Sequence, residues 1–154
     1  MNILEQICSD KRVAVADRKK FQSLDDLRAQ FSTIKKRPDF VESLRATSMG
    51  LIAEVKRKSP SAGLIREPFD PAAIARGYEA NGANAVSCLM DNKYFGGGAE
   101  DFAEVRNAIE LPMLYKEFVV DPWQIAHAKT MGASAVLLIV GALSDDELSS
   151  FIKE

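Results

Sequence analysis

Four side chains capable of chemistry stand at the end of one apolar segment. LIAEV (51–55) is typical of a buried strand, and it carries Glu54 before continuing into Lys56, Lys58 and Ser59. Alternate residues of a strand point to the same side, so residues 54, 56 and 58 share one face. A carboxylate beside ammonium groups stabilises the charged form of each, and such a group can hold an anionic substrate and orient a proton donor. The alternative is a solvated strand end with a surface ion pair.

Lys116 is the second candidate, inside the apolar run LYKEFVV (114–120). Apolar neighbours would partly desolvate its amine, which lowers the pKa of a lysine and suits it to proton transfer near neutral pH. The other interpretation is that the stem is buried while the amine reaches water. Glu117 points to the opposite face and is interpreted as structural.

The third candidate is the segment MDNKYFGGGAEDF (90–102), which is predicted to be a loop. Tyr94 and Phe95 are aromatic residues in a loop rather than in a core, and functional loops often carry such residues. Three glycines follow them, but no helix-anchored phosphate motif accompanies the glycines, so they are a weak phosphate-binding signal. An ordinary flexible connection remains the alternative.

Composition excludes several kinds of site and partner. His127 is the only histidine, and Cys8 and Cys88 have no metal-ligand spacing, so we predict no metal site, no His-dependent triad and reduced thiols. Twenty basic and 22 acidic residues give a net charge of −2, which offers no footprint for nucleic acid or an anionic membrane. The N-terminus does not resemble a signal peptide, and no apolar run has bilayer length. We therefore predict a cytoplasmic protein.

Short buried strands alternate with helices through most of the chain. Besides 51–55, the apolar runs 85–90, 112–118 and 135–140 are predicted as parallel strands covered on both faces. The connections between them are too long for hairpins. The sequence SDDE (144–147) predicts a capping box that opens one more helix.

An internal repeat supports this alternation. DPAAIARGYEANGANAV (70–86) matches DPWQIAHAKTMGASAV (121–136), with one inserted residue in the first copy. In each copy Asp caps a helix, Pro takes the first helical position, and Gly82 or Gly132 ends the helix. The shared unit is a helix followed by a strand, and the chain therefore contains four predicted βα units. Such units fit an open doubly wound sheet or part of an eight-stranded barrel.

The first third of the chain has a different pattern. Residues 1–48 are predicted as a helical extension, with helices beginning near Ile3, at Ser23 and at Pro38. Residues 49–154 are predicted as the βα part.

Taken together, these motifs resemble the indole-3-glycerol phosphate synthase family of tryptophan biosynthesis. The specific part is E-x-K-x-x-S-P-S combined with K-D/E-F, and the resemblance covers nearly the whole chain. The stretches that carry it are AEVKRKSPSAGLI (53–65), FDPAAIA (69–75), MDNKYFGGG (90–98), LYKEFVVDPWQI (114–125) and GASAVLLIV (132–140).

The resemblance implies a fold and a reaction. The fold is a (β/α)8 barrel behind an N-terminal helical segment. The reaction is that of a decarboxylating lyase, which converts 1-(2-carboxyphenylamino)-1-deoxyribulose 5-phosphate to indole-3-glycerol phosphate with loss of CO2 and water, without metal or organic cofactor. Because such a barrel takes about 250 residues, these 154 residues would supply a truncated barrel of four units. A second proton-transfer glutamate and the main phosphate-binding turns would belong to later strands.

The resemblance also assigns roles to individual residues. It implies that Lys116 is the general acid, that Glu54 positions the lysines and takes part in catalysis, and that Lys56 pairs with the substrate carboxylate or phosphate. Ser59 would contact the substrate. The residues expected to form apolar walls for the anthranilate ring are Phe95, Phe118 and Leu137.

The alternative hypothesis is a half-barrel without catalysis. Four parallel strands that stop short of closure would have free edges and an uncovered inner face, and both features favour association. Such a chain would self-associate or bind an anionic ligand or a partner chain.

Overall fold

Seven helices and six strands make up the computed structural model, which describes residues 2–154. The strands are β1 (Ile52–Val55), β2 (Lys58–Ser59), β3 (Gly63–Leu64), β4 (Ala85–Leu89), β5 (Met113–Lys116) and β6 (Ala135–Val136). The helices are α1 (Ile3–Lys19), α2 (Leu24–Ala29), α3 (Phe40–Arg45), α4 (Pro71–Ala80), α5 (Ala99–Ala108), α6 (Pro122–Thr130) and α7 (Asp145–Phe151), with 3-10 turns at Phe31–Thr33 and Val140–Ala142.

Strands β1, β4, β5 and β6 form one parallel sheet in that spatial order. The order follows the chain without reversal, whereas a doubly wound sheet changes direction at a switch point. The helices α4, α5, α6 and α7 each follow one of these strands, which confirms the four predicted βα units. The sheet is therefore the partial wall of a (β/α) barrel.

The helix signals read from the repeat are confirmed. Asp70 accepts a hydrogen bond from the backbone N–H of Ala73 at 2.8 Å, and Asp121 caps α6 in the same way. Gly82 and Gly132 adopt φ values of 88° and 82°, the left-handed conformation that glycine reaches without strain. Ser144 also forms the predicted capping box at the start of α7.

Several predicted boundaries are wrong, and one hairpin was not predicted. The strand predicted at 112–118 extends only over Met113–Lys116, and the helix predicted from Pro38 begins at Phe40, after its N-cap Asp39. The fourth strand extends only over 135–136, because in the described chain it pairs with β5 alone and the ladder ends at Tyr115–Val136. The loop predicted at 90–102 ends at Gly98, since α5 begins with acidic residues that favour a helix N-terminus. The segment SPSAG (59–63) forms the turn of a small antiparallel hairpin, β2–β3, that was not predicted.

The main core lies between the sheet and the helices that follow its strands. Phe102 of α5 packs against Tyr115 of β5 with ring centroids 5.8 Å apart, and both side chains are fully buried with Val86 and Met113. Burial of side chains of this size stabilises a fold by about 1.5–3 kcal/mol each.

A second apolar cluster joins the N-terminal helices to α6. Trp123 of α6 packs with Val15 of α1 and Leu27 of α2. Its indole Nε1–H donates to the backbone oxygen of Gln22 at 2.7 Å, so the α1–α2 connection supplies the partner that a buried indole requires. Among residues 2–154, no helix is both long and apolar enough to cross a membrane.

Candidate active site at the ends of three strands

The carboxylate of Glu54 lies between two lysines. Its Oε1 is 3.1 Å from Lys56 Nζ, and its Oε2 is 2.9 Å from Lys116 Nζ. The hydroxyl of Ser87 donates to Oε2 at 3.2 Å. The site therefore combines side chains from the C-terminal ends of β1 and β5 with one from β4 between them.

Strand register explains why these groups meet. Glu54 pairs with Ser87 across β1 and β4, and Leu89 pairs with Lys116 across β4 and β5. Lys56 follows Glu54 by two residues and so returns to the same face. Sequence reasoning missed Ser87, although a hydroxyl inside the apolar run AVSCLM (85–90) was a usable signal for it.

The electrostatics of the site favour an ionised carboxylate. Burial acts to raise the pKa of Glu54, but hydrogen bonds from Lys116 and Lys56 outweigh burial and hold that pKa below its usual value. The side chain of Lys116 is 35% exposed, so its desolvation is only partial. Its amine contacts the carboxylate of Glu54 and not an apolar pocket. The group is thus a charged cluster that is open to a ligand.

A cavity of about 400 Å³ adjoins this cluster. The hydroxyl of Tyr78 on α4 donates to the backbone oxygen of Glu54 at 3.0 Å, which fixes the end of β1 beside the cavity. The lining combines one carboxylate and two cations with aliphatic and aromatic groups; the residues are Glu54, Lys56, Ile65, Arg66, Ile74 and Tyr78.

The structure pairs two of the three predicted apolar wall residues. The rings of Phe95 and Phe118 lie with centroids 6.0 Å apart and planes tilted by 36°. Leu137 is half-buried just beyond β6.

The polar side chains of the hairpin β2–β3 have hydrogen-bond partners other than Glu54. Ser59 Oγ accepts the backbone N–H of Ala62 at 3.1 Å and thereby closes the turn. Lys58 extends toward the backbone oxygen of Lys93, 3.5 Å away, so it does not continue the Glu54–Lys56 group as predicted. Within the described residues, the hairpin places no side chain in hydrogen-bond contact with Glu54.

A larger cavity, about 550 Å³, lies between α1 and the segment 91–98. Its lining includes Arg57, which faces away from the Glu54 cluster and bonds Asp101 at 3.2 Å. The same guanidinium stacks over the ring of Phe69 at 4.2 Å. Arg57 therefore ties the loop and α5 to the end of β1.

Two other titratable residues have packing roles. Glu117 is buried and contacts α1, on the opposite face from Lys116, as predicted. His127 stacks on Trp123 with centroids 4.8 Å apart, and its Nδ1 lies 3.1 Å from the Tyr115 hydroxyl. In the part of the chain that the structure describes, no group of His, Cys, Asp and Glu side chains has an arrangement that could hold a metal ion.

Comparison with known proteins agrees with the motifs. The family model described as indole-3-glycerol phosphate synthase matches residues 4–154. A protein of Arabidopsis thaliana named "Indole-3-glycerol phosphate synthase, chloroplastic" is 47% identical, over 99% of this chain and 39% of its own length. The proteins of Microcystis aeruginosa and Rhodospirillum rubrum named "Indole-3-glycerol phosphate synthase" are 46% and 44% identical; they match 99% and 94% of this chain and 52% and 56% of their own lengths. The chain thus spans about half the length of the curated relatives it matches.

Proposed function

This chain belongs to the indole-3-glycerol phosphate synthase family, and on that premise we propose that it contributes half of an active site for indole ring closure. The substrate is 1-(2-carboxyphenylamino)-1-deoxyribulose 5-phosphate, and the product is indole-3-glycerol phosphate. The observation that carries the proposal is the single carboxylate of Glu54 held between Lys56 and Lys116 at the strand ends. Strand ends of this kind are where barrel enzymes place their catalytic groups.

The reaction has three stages. The ring carbon that bears the carboxylate attacks the substrate ketone, and the ketone oxygen takes up a proton. The carboxylate then leaves as CO2, and its bonding electrons restore the aromatic ring. The new hydroxyl finally takes up a proton and leaves as water, while the methylene carbon next to the nitrogen loses a proton to form the carbon–carbon double bond of the indole.

Lys116 is placed to supply the first proton. Its amine is partly open to solvent and lies 2.9 Å from the carboxylate of Glu54. A positioned acid of this kind contributes about 10²–10⁴-fold to rate. Glu54 orients the amine, and its own ionised state keeps the neighbouring cations in place.

Binding is shared between charge and apolar contact. Lys56 pairs with the carboxylate or phosphate of the substrate, and Ser59 donates from the hairpin. The anthranilate ring lies against Phe95 and Phe118, with Leu137 completing the wall. A small phosphorylated substrate needs no nucleic-acid or membrane surface, and the compartment in which the protein acts stays a prediction.

The test compares two samples. Residues 1–154 and the full-length natural protein that contains them are given the substrate, and product is followed by indole fluorescence. We expect turnover from the full-length protein and none from residues 1–154 alone, because a second proton-transfer group is expected from a later strand. A folded full-length protein without turnover would overturn the proposal. Turnover by residues 1–154 alone would require pairing of copies, which gel filtration reports.

A further inference from the structure

Lys11 of α1 reaches two buried carboxylates at once. Its Nζ lies 2.8 Å from Asp91 Oδ2 and 3.0 Å from Glu117 Oε2. The side chains of Asp91 and Glu117 are 4% and 5% exposed, and that of Lys11 is 13% exposed. One ammonium therefore serves two acids that are shielded from water and that belong to different βα units.

The second oxygen of each carboxylate holds the backbone of an aromatic residue. Asp91 Oδ1 accepts the backbone N–H of Tyr94 at 2.6 Å and that of Phe95 at 3.3 Å. Glu117 Oε1 accepts the backbone N–H of Phe118 at 2.9 Å. Both acids thus have one oxygen on Lys11 and the other on the chain that carries a ring.

The two rings connected in this way are the facing pair Phe95 and Phe118, 6.0 Å apart. Each is tied to its own carboxylate by a local hydrogen bond. Lys11 is the group that ties the two carboxylates to each other and to α1. The adjacent Asp10 accepts from Lys93 Nζ at 2.6 Å and from the Tyr94 hydroxyl, which gives α1 a second hold on the same loop.

We propose that Lys11 is a positioning residue, which sets the spacing of Phe95 and Phe118 through the carboxylates of Asp91 and Glu117. The N-terminal helix thereby controls the fit of the aromatic ring of the substrate without touching it. This step rests on the proposed function, because it takes the two phenylalanines as the binding wall. The structural part of the inference, the control of ring spacing, does not depend on any activity.

Charge alone does not account for the arrangement. Burial raises the pKa of Glu117, although Lys11 and the N–H of Phe118 act in the opposite direction. Replacement of a whole buried ion pair by neutral groups is often neutral or stabilising, so the charges are not required for stability. The charged pair instead provides a defined geometry, since an ammonium fixes two acceptors at hydrogen-bond distance.

The experiment uses the full-length natural protein with two readouts. One is the nuclear Overhauser effect between the rings of Phe95 and Phe118, and the other is the separation of KM from kcat. We expect Lys11→Met to reduce the ring–ring effect to less than half and to raise KM about tenfold while kcat stays within threefold, because a binding wall contacts substrate and transition state alike. Lys19→Met is the matched control, since Lys19 is also on α1 and pairs with Asp121 at 2.8 Å on the surface.

A second variant covers the case in which Lys11→Met fails to fold with two unpaired buried acids. Lys11→Met combined with Asp91→Asn and Glu117→Gln removes the charges of these three side chains. The two amides still provide an oxygen for the backbone N–H groups that the carboxylates accept. This variant retains the hydrogen bonds to the backbone of Phe95 and Phe118 and loses only the connection through Lys11. We therefore expect the same decrease in the ring–ring effect and the same increase in KM as for Lys11→Met. A ring–ring effect and KM equal to those of the Lys19→Met control in either folded variant would overturn the inference. Absent turnover in the unmodified protein would contradict the proposed function only, and the ring–ring effect would still decide this inference.

Discussion

Lys116 Nζ lies 2.9 Å from the carboxylate of Glu54, although 62 residues separate them in the chain. The contact crosses the full width of three strands, from the end of β1 to the end of β5. It orients the amine and leaves the Lys116 side chain partly exposed.

Replacement of Lys116 tests the proposed acid directly. We expect Lys116→Ala in the full-length protein to reduce kcat at least 100-fold, because positioned general acids contribute about 10²–10⁴-fold. Circular dichroism should be unchanged, since the side chain is 35% exposed. Lys35→Ala is a surface control, 71% exposed. Turnover of Lys116→Ala within threefold of the unmodified protein would rule out the role.

Two glutamates on opposite faces of the sheet give a second comparison. Glu54→Gln should lower turnover more than Glu117→Gln, because a neutral amide at position 54 no longer orients Lys116, while the amide oxygen introduced by Glu117→Gln still accepts the N–H of Phe118. Steady-state kinetics on both variants measure the order. The reverse order would mean that the catalytic face of the sheet carries Glu117 instead.

Two neighbouring glycines differ in how closely other atoms approach the position of an added Cβ. A Cβ on Gly97 would lie 2.1 Å from the backbone oxygen of Leu89, so the backbone must shift. Gly97→Ala should destabilise the fold by about 2–3 kcal/mol, as overpacking does. Gly98→Ala, with no atom within 4 Å of the added Cβ, should cost less than about 1 kcal/mol. Urea unfolding compares them, and equal midpoints would contradict the steric account.

His127 should make stability depend on pH. Burial and the nearby charge of Arg18 lower its pKa from 6.5 to about 4, so the folded state keeps the ring neutral while the unfolded chain protonates it. This contribution is complete above pH 6.5 and is lost as pH falls toward 4. Between pH 6.5 and 4.5 it amounts to about 2–3 kcal/mol.

His127→Asn isolates this effect, because Asn does not titrate and can still accept from the Tyr115 hydroxyl. Urea unfolding at several pH values gives both curves. The difference in unfolding free energy between the two proteins should shrink as pH falls. A constant difference from pH 6.5 to 4.5 would mean that the folded protein protonates His127 normally.

Local signals made much of this fold predictable. The helix caps at Asp70 and Asp121 are hydrogen bonds to backbone N–H groups no more than three residues away. The two-residue repeat of a strand likewise places Glu54 and Lys56 on one face. The extent of β6 was not predictable in this way. Its apolar run extends to Val140, but the length of a strand depends on the hydrogen-bond partners that the neighbouring strand provides. The sequence of the run does not show where those partners end.

Contacts between residues distant in the chain were also not predictable from the sequence. Lys11 and Glu117 are 106 residues apart, and nothing in the sequence around either shows the partner. The position of Trp123 is not evident from the sequence for the same reason, because the face of α6 that carries it is covered by α1 and α2 rather than by the sheet. Family resemblance named the site residues, but it did not show how α1 is joined to them.

The strand order has a consequence for how the protein is made. Each strand of the main sheet pairs with the main strand synthesised just before it, so every βα unit can add to a finished neighbour as it leaves the ribosome. The N-terminal helices cannot do so: Arg12 bonds Glu147 and Arg28 bonds Glu154, contacts that join residues 135 and 126 positions apart. The contacts of these helices are therefore completed after the strands of the main sheet have been synthesised, and the aromatic pair takes its final spacing only after the sheet behind it exists.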